Sequence, residues 1–371
     1  MRRTLSADEL RALRLRAQRL AGQPARDVRS AVTRAGGLQA QAAGPARLAA
    51  RVRTAGLTAD DVDRACDVDR AVVRTWAMRG TLHMVPATNV RWMVGLLGPV
   101  FARAGRRRRE RLGLDDRTCE RGLAAIEKVL RDSAPLTRGR LVERIADEGV
   151  RIDAATQAPA HLVAYAAMRG LICRGPNVGS DEPTYVLLDD WVDDRGRLGR
   201  DEALAELARG YLAGYGPATV HDFLTWSGLP AADGKKAFAL ISDEIVDVEA
   251  DGTAMSALSS TELDAAGEIQ PRLLGHFDAL LLGYRGRDLV LDPAYGRRIQ
   301  AGGGFIRPAV LVGGRVVGTW RLDRRGNRLA VVAEPFGGLP RDGRDGLRAE
   351  AEDVGRFLGF RDGGVAFHVA Q

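Results

Sequence analysis

The feature that most constrains this chain is a recurring order of segments. "AVVRTWAMRGTLHMVPA" and "HLVAYAAMRGLICRGP" share a tetrapeptide, Ala77-Met78-Arg79-Gly80 and Ala167-Met168-Arg169-Gly170. Each reads as the end of an apolar helix that leads into a strand, the first strand covering Thr81 to Val85. Upstream of the second copy, "APLTRGRLVERIADEGV" predicts a helix starting at Thr137 and a turn at Gly149. A helix over 157–169 and a hairpin in "LICRGPNVGSDEPTYVLL" follow. Helix, turn, helix and a two-stranded wing is the winged-helix order. A weaker third copy runs through "YGPATVHDFLTWSGLPAADGKKAFALI" and "EIVDVEADG", with Pro217-Ala218-Thr219 standing where Pro135-Leu136-Thr137 stood.

The expected fold is therefore α+β: three tandem winged-helix units over 1–105, 106–195 and 196–270, then a small C-terminal β-barrel over 271–371. The first unit opens on "SADELRALRLRAQRLAG", where Ser6 and Glu9 form a capping-box signature before leucines at helical spacing. Further helices are expected over 28–35, 45–55 and 58–66. The last has Thr58 as its cap and Asp60 and Asp61 in the first turn, where they favour the helix dipole, so this acidic cluster reads as a helix start. After Pro271 the segments "FDALLLGY", "DLVLD", "RPAVLVGGRVVGTWRL" and "RLAVVAEPF" read as short strands, with a Gly313-Gly314 hairpin, a helix around 345–358 and a last strand. Gly302-Gly303-Gly304 lacks the following helix and GK[ST] ending of a phosphate loop and reads as a turn.

Charge is unevenly distributed. Residues 1–111 carry 23 Arg, no Lys and 9 acidic residues, net +14, whereas the remainder is net −7. Codon bias toward arginine would not displace the acids, so a polyanion such as nucleic acid is the expected partner of the N-terminal end. The apolar runs are too short for a membrane-spanning helix, and the N-terminus lacks a signal core, which predicts a cytoplasmic protein without membrane contact. Cys66, Cys119 and Cys173 lie far apart with no CxxC, which predicts buried thiols and neither a disulfide framework nor a zinc site. His83, His161, His221, His276 and His368 show no ligand spacing. With no HExxH, GxSxG, P-loop or GxGxxG after a strand, no metal and no cofactor are expected.

One short segment offers chemistry. In "TRAGGLQAQAAGP", Gln39 and Gln41 are one residue apart between Gly36-Gly37 and Gly44-Pro45. Residues i and i+2 diverge on a helix but share a face in extended backbone. The flanking glycines and proline favour the extended state, in which the two amides converge. Each offers one acceptor oxygen and two N–H donors, and neither takes a proton at neutral pH. Such a pair cannot act as a general base in the manner of Asp or His, so any reaction it promotes needs a leaving group that is already activated. A purine alkylated at N7 or N3 is one: it departs as a neutral base and leaves an oxocarbenium-like sugar for water to capture. Two non-enzymatic readings use the same residues: a winged-helix transcription regulator whose glutamines read base edges, and a drug-sequestering resistance protein. Three unlike copies in one chain favour a monomer over a dimeric regulator.

Longer motifs resemble those of the AlkZ/YcaQ-like bacterial DNA glycosylases. They are "GGLQAQ", "RTWAMRGTLHMVPA", "LLGHFDALLLGY" and "GGGFIRPAVLVGGRVVGTW", and they span residues 36 to 320 in the family's order. The Gln39-Ala40-Gln41 tripeptide resembles the branch with glutamine at both ends. The resemblance implies tandem winged helices with a β-barrel and a monofunctional glycosylase that removes N-alkylated purines, bulky antibiotic adducts and crosslinks included. It also implies Gln39 and Gln41 as the catalytic pair and double-stranded DNA bearing alkylated purines as the partner. The monofunctional reaction agrees with the residues themselves: a lyase needs an amine, and the only lysines are Lys128, Lys235 and Lys236. A bulky lesion is not easily rotated into a tight pocket, so a wide cleft is expected around the glutamines.

DNA contacts are expected from Arg47, from Arg79 and His83 flanking the first wing, and from the run Arg106, Arg107, Arg108 and Arg109. The competing readings are structural roles for Arg79 and His83 and a solvated linker for the run. Trp76 reads as core, and Asp278 as a residue that holds the barrel against the third unit.

Overall fold

The structure, a computed structural model, describes all residues except 1–2, 180, 194–195, 265–266, 340, 361–363 and 371. The fold is mixed α+β and forms two compact units, 63–204 and the combination of 1–62 with 205–371. Among the described residues no helix is long and apolar enough to cross a membrane.

Unit 63–204 carries antiparallel strands in the order Leu82–Pro86, Val72–Trp76, Ile172–Val178, Glu182–Leu187 and Leu136–Thr137. Helices Asp116–Arg131, Arg138–Asp147 and Ala158–Met168 pack on it around a core that includes Ile126, Leu130, Leu141, Leu162 and Ile172. Thr137 caps the second of these helices, its side chain accepting from the Arg140 N–H. Trp76 is partly buried against this core, as expected. The three cysteines are also buried. The first copy of the repeated tetrapeptide is different from its reading, because Val72–Trp76 is a strand. Its residues are mostly β-branched or aromatic, which suits a pleated sheet better than a helix. Ala77 to Gly80 therefore turns a hairpin, with Arg79 at φ 55°, whereas Ala167 to Gly170 ends a helix. What the two copies share is a glycine in the left-handed region, at φ 64° and 74°.

In the other unit, Arg3–Leu5 lies parallel to Ile245–Ala250, which pairs antiparallel with Thr253–Leu258. Ser6 and Glu9 form the expected capping box on helix Ala7–Ala17. Thr58 and Asp61 exchange the same pair of hydrogen bonds at the start of helix Ala59–Asp67. Helix Arg200–Tyr215 leads to helices Val220–Ser227 and Ala231–Leu240. Thr219 caps the first of these two, and Ala218 bridges to Ser256, as Leu136 bridges to Tyr185 in the other unit.

The C-terminal sheet is not a closed barrel. Its five strands run Arg272–Leu274, Ala309–Val312, Arg315–Arg325, Arg328–Pro335 and Val365–Val369, with the first and last as open edges. Helix Arg341–Phe357 packs on the sheet, burying Leu347, Ala351 and Val354 against Leu273, Val331 and Trp320, so a helix occupies the face that closure would have enclosed. Two further segments differ from expectation. "FDALLLGY" contains the short helix Ala279–Leu282, started by the Asp278 side chain accepting from the Leu280 N–H, and "DLVLD" forms turns. Gly302 to Gly304 makes the expected turn, all three at positive φ, and Gly313-Gly314 joins two strands of the sheet.

Candidate functional site

Helix Val28–Arg34 begins at Asp27, whose side chain accepts from the Ser30 N–H at 2.7 Å, and it ends at Ala35. Gly36 and Gly37 follow at φ 59° and 112°, and the Gly37 N–H closes the turn on the Val32 carbonyl at 2.9 Å. The chain leaves this turn extended, with Leu38–Gln39 a strand. Leu38 and Ala40 point inward and are buried, and Gln39 and Gln41 point outward, the two-residue alternation of extended backbone. Ala40 needs to be small and apolar because it is an interior residue. The convergence expected of the amides is present: Gln39 Nε2–H donates to Gln41 Oε1 at 2.9 Å. Gln41 is exposed and Gln39 half-buried.

Helix Ala43–Arg51 starts directly after the pair, so Gly44 and Pro45 lie in its first turn and do not terminate the extended segment. Proline is compatible there because a first-turn N–H has no intrahelical partner. The N-cap, Ala42, has no capping side chain, which leaves first-turn N–H groups and the positive end of the helix dipole beside Gln41. Arg47 is half-buried on this helix.

The far end of the helix is fixed by buried charge. Arg53 and Asp278 are both fully buried and meet in a bidentate pair, at 2.8 and 2.9 Å. Arg53 also donates to the Ala49 carbonyl and to Gln18 Oε1. Arg51 reaches Glu350 and Asp353 of helix Arg341–Phe357, each at 2.8 Å. Gly275 runs against the first turn, where a Cβ would sit 3.2 Å from Leu48 Cβ and 3.4 Å from the Pro45 carbonyl oxygen. Asp278 thus has a structural role, but its partner is Arg53, just beyond the helix that follows the glutamines. Sequence reasoning missed Arg51 and Arg53. The available signal was a single acid within the apolar "GHFDALLLGY", which demands a cation without saying which.

The other expected DNA-binding residues lie in unit 63–204. Arg79 is half-buried in its hairpin turn. His83 is 2% exposed and its Nδ1 lies 2.9 Å from the Thr81 carbonyl oxygen, which can only accept, so Nδ1 carries the proton. Burial, reinforced by the nearby Arg79 charge, lowers its pKa to about 3. A buried neutral imidazole has no charge to offer a phosphate, so the structural of its two readings fits. The run Arg106 to Arg109 is a short helix, Arg106–Arg111, and not a linker. Arg109 points inward, donating to the Ala102 carbonyl and stacking 4.3 Å over the Tyr165 ring. Arg106 is exposed but paired with Glu110 and Asp116, Arg108 donates to Gln157, and Arg107 is exposed. The residues of the run able to face a phosphate are therefore Arg106, Arg107 and Arg108.

Comparison with known proteins gives concordant results. The family model described as DNA glycosylase AlkZ-like matches residues 32–357. The interstrand DNA cross-link repair glycosylase of Streptomyces sahachiroi is 29% identical over 341 residues, covering 87% of this chain and 88% of that protein. The solved structure of Streptomyces sahachiroi DNA glycosylase AlkZ is similar with a TM-score of 0.79 at 28% identity, covering 99% of this chain and 100% of that one.

Proposed function

Because the chain belongs to the DNA glycosylase AlkZ-like family, and so is an enzyme that hydrolyses N-glycosyl bonds in DNA, we propose that Gln39 and Gln41 carry the reaction and that the substrate is an N-alkylated purine. The observation behind this is the amide pair itself: two outward-facing carboxamides, hydrogen-bonded at 2.9 Å on an extended segment. An amide oxygen can accept from a water and orient it toward C1′, and an amide N–H can hold the nucleotide, but neither group removes a proton at the start of the reaction. The water oxygen bonds to C1′, the glycosidic bond breaks, its electron pair neutralises the cationic purine, and the proton passes to solvent. An abasic site remains. The N-terminal 111 residues contain no lysine amine for a lyase step.

The exposure of Gln41 supports an open site that takes bulky N7 or N3 adducts, and crosslinked guanines are a natural extension given what the Streptomyces relative is named for. Three winged-helix units over 1–105, 106–195 and 196–270, with 271–371 beyond them, remain our reading of the domain plan. It rests on the order helix, short strand or bridge, helix, helix and paired strands, seen in 116–187 and again in 200–258. Arg47 and the exposed arginines of the 106–111 helix are the proposed phosphate contacts, with a monomer acting on chromosomal DNA in the cytoplasm.

The test is a duplex carrying N7-methylguanine, incubated with enzyme and cleaved at abasic sites with alkali. Gln39→Ala and Gln41→Ala should each lower kcat by about 10²- to 10³-fold, the usual cost of losing one preorganised polar group. Wild-type protein that releases neither this base nor a bulkier N7 adduct would refute the substrate, and unaffected variants would refute the site.

A further inference from the structure

The amide pair needs its backbone held in one orientation, and the turn before it has an unusual support. Helix Arg200–Tyr215 passes so close to the end of helix Val28–Arg34 that a Cβ on Gly214 would lie 2.1 Å from the Arg34 carbonyl oxygen. Gly36 rests on the Trp226 ring, where a Cβ would come within 2.9 Å of Cζ2. Trp226 belongs to a cluster with Tyr211, Tyr215 and Phe223, in which Tyr211 and Tyr215 stack at 5.0 Å with their planes 12° apart. A Cβ on Gly283 would lie 2.3 Å from the Tyr215 ring, so that ring is confined on this side as well. From this confined position the Tyr215 hydroxyl donates to the Ala35 carbonyl at 2.8 Å. The helix end that precedes Gly36-Gly37 thereby gains a partner for a carbonyl that its own helix cannot satisfy.

We infer that Tyr215 is a positioning residue for the glycosylase reaction: its hydroxyl holds the turn from which Gln39 and Gln41 project, and the aromatic cluster of 211–226 is the platform beneath that turn. The inference rests on the assignment of the glutamines as the reacting pair. It gives the third helix–turn–helix a task other than touching DNA. Its aromatic side chains Tyr211, Tyr215, Phe223 and Trp226 are buried, and Tyr215 itself is 1% exposed. The chemistry explains why tyrosine is needed. Phenylalanine fills the same space but leaves the Ala35 carbonyl without its donor, so the turn can relax by a fraction of an ångström, and misplaced reacting groups lose rate steeply.

The test is Tyr215→Phe, which keeps the ring and its stacking. Single-turnover excision of N7-methylguanine should fall about tenfold, while the Kd for the lesion duplex stays within about twofold, since no DNA-contacting group is removed. Placed in a background that carries both Gln39→Ala and Gln41→Ala, the same change should cost nothing further, because the residue acts through the glutamines. Amide hydrogen exchange over 36–41 should quicken, with the C-terminal sheet unchanged. A tenfold loss repeated in full in the background that lacks both glutamines, or exchange at 36–41 identical to wild type, would overturn the inference. If Gln39→Ala excises at the wild-type rate, it is the catalytic assignment that fails, and the exchange measurement still decides whether Tyr215 holds the turn.

Discussion

The two units contain the same succession of helices and paired strands, but a helix central to one is held by close apolar packing and the surroundings of the glutamines in the other by a buried polar network. In unit 63–204 the helix Ala158–Met168 is apolar over most of its circumference, because other elements cover it on most sides. Sheet and helices lie on some faces, and on another Val90–Ala104 approaches so closely that a Gly98 Cβ would lie 1.9 Å from the Met168 carbonyl oxygen. In the other unit, buried polar groups run close to the glutamines. Arg53 pairs with Asp278 and donates to Gln18, whose amide reaches Tyr284, whose hydroxyl donates to the Tyr215 carbonyl. Apolar contacts are non-directional and tolerate small shifts, whereas a buried hydrogen-bonded network permits one arrangement and penalises the rest. On the proposed role of Gln39 and Gln41, a site made of two neutral amides needs the second kind of support.

That contrast can be broken most forcefully at Arg53. Arg53→Met leaves a buried carboxylate without a counterion and should destabilise the protein by about 3–5 kcal/mol in urea unfolding. Arg53→Met combined with Asp278→Leu should recover most of that stability, because a buried pair replaced by apolar groups is often neutral. Excision should nevertheless remain slow in the double variant, since directional support for the helix that follows the glutamines is gone. A double variant with wild-type stability and wild-type excision would show that the network is not needed for orientation.

The close helix packing in unit 63–204 should respond differently. Gly98→Ala forces helix Val90–Ala104 away from the Met168 carbonyl and should cost about 1–3 kcal/mol, the range for overpacking a tight contact. Thermal unfolding measures it. At a temperature where the variant remains folded, its single-turnover excision rate should match wild type, because no glutamine-orienting contact is touched. A rate that falls in parallel with stability would erase the distinction between the two kinds of support.

The parts of the fold that the residues announce are those governed by local chemistry. Ser6, Thr58, Thr137 and Thr219 start helices through hydrogen bonds that span three residues. The glutamine pair was legible for the same reason, since glycines and a two-residue spacing decide which way side chains face. Val72–Trp76 was misread because its neighbours continue an apolar pattern that suits either a helix or a buried strand, and pairing with Leu82–Pro86 decides the matter. The buried arginines were beyond reach. Arg53 and Asp278 are 225 residues apart in sequence, and nothing local distinguishes an arginine that will be buried against an acid from one that will face water. The open C-terminal sheet was misjudged for a related reason: whether strands close on themselves depends on a helix arriving from later in the chain.

His83, buried in unit 63–204, gives that unit's stability a pH dependence. Its pKa is about 3 when folded and near the ordinary 6.5 when unfolded, so between those values the unfolded chain binds a proton that the folded one does not. Stability from this site is therefore fully present above about pH 6.5 and declines as the pH falls toward 3. At pH 5.5 the loss should be about 1.4 kcal/mol. His83→Gln keeps an N–H that can reach the Thr81 carbonyl but removes the titration, so the stability difference between wild type and variant should shift in the variant's favour as pH drops from 7 to 5.5. Urea unfolding of both proteins across that range reads the effect. A wild type that gains stability relative to His83→Gln on acidification would mean that His83 is charged in the folded protein, and a charged His83 would restore it as a candidate for holding a DNA phosphate.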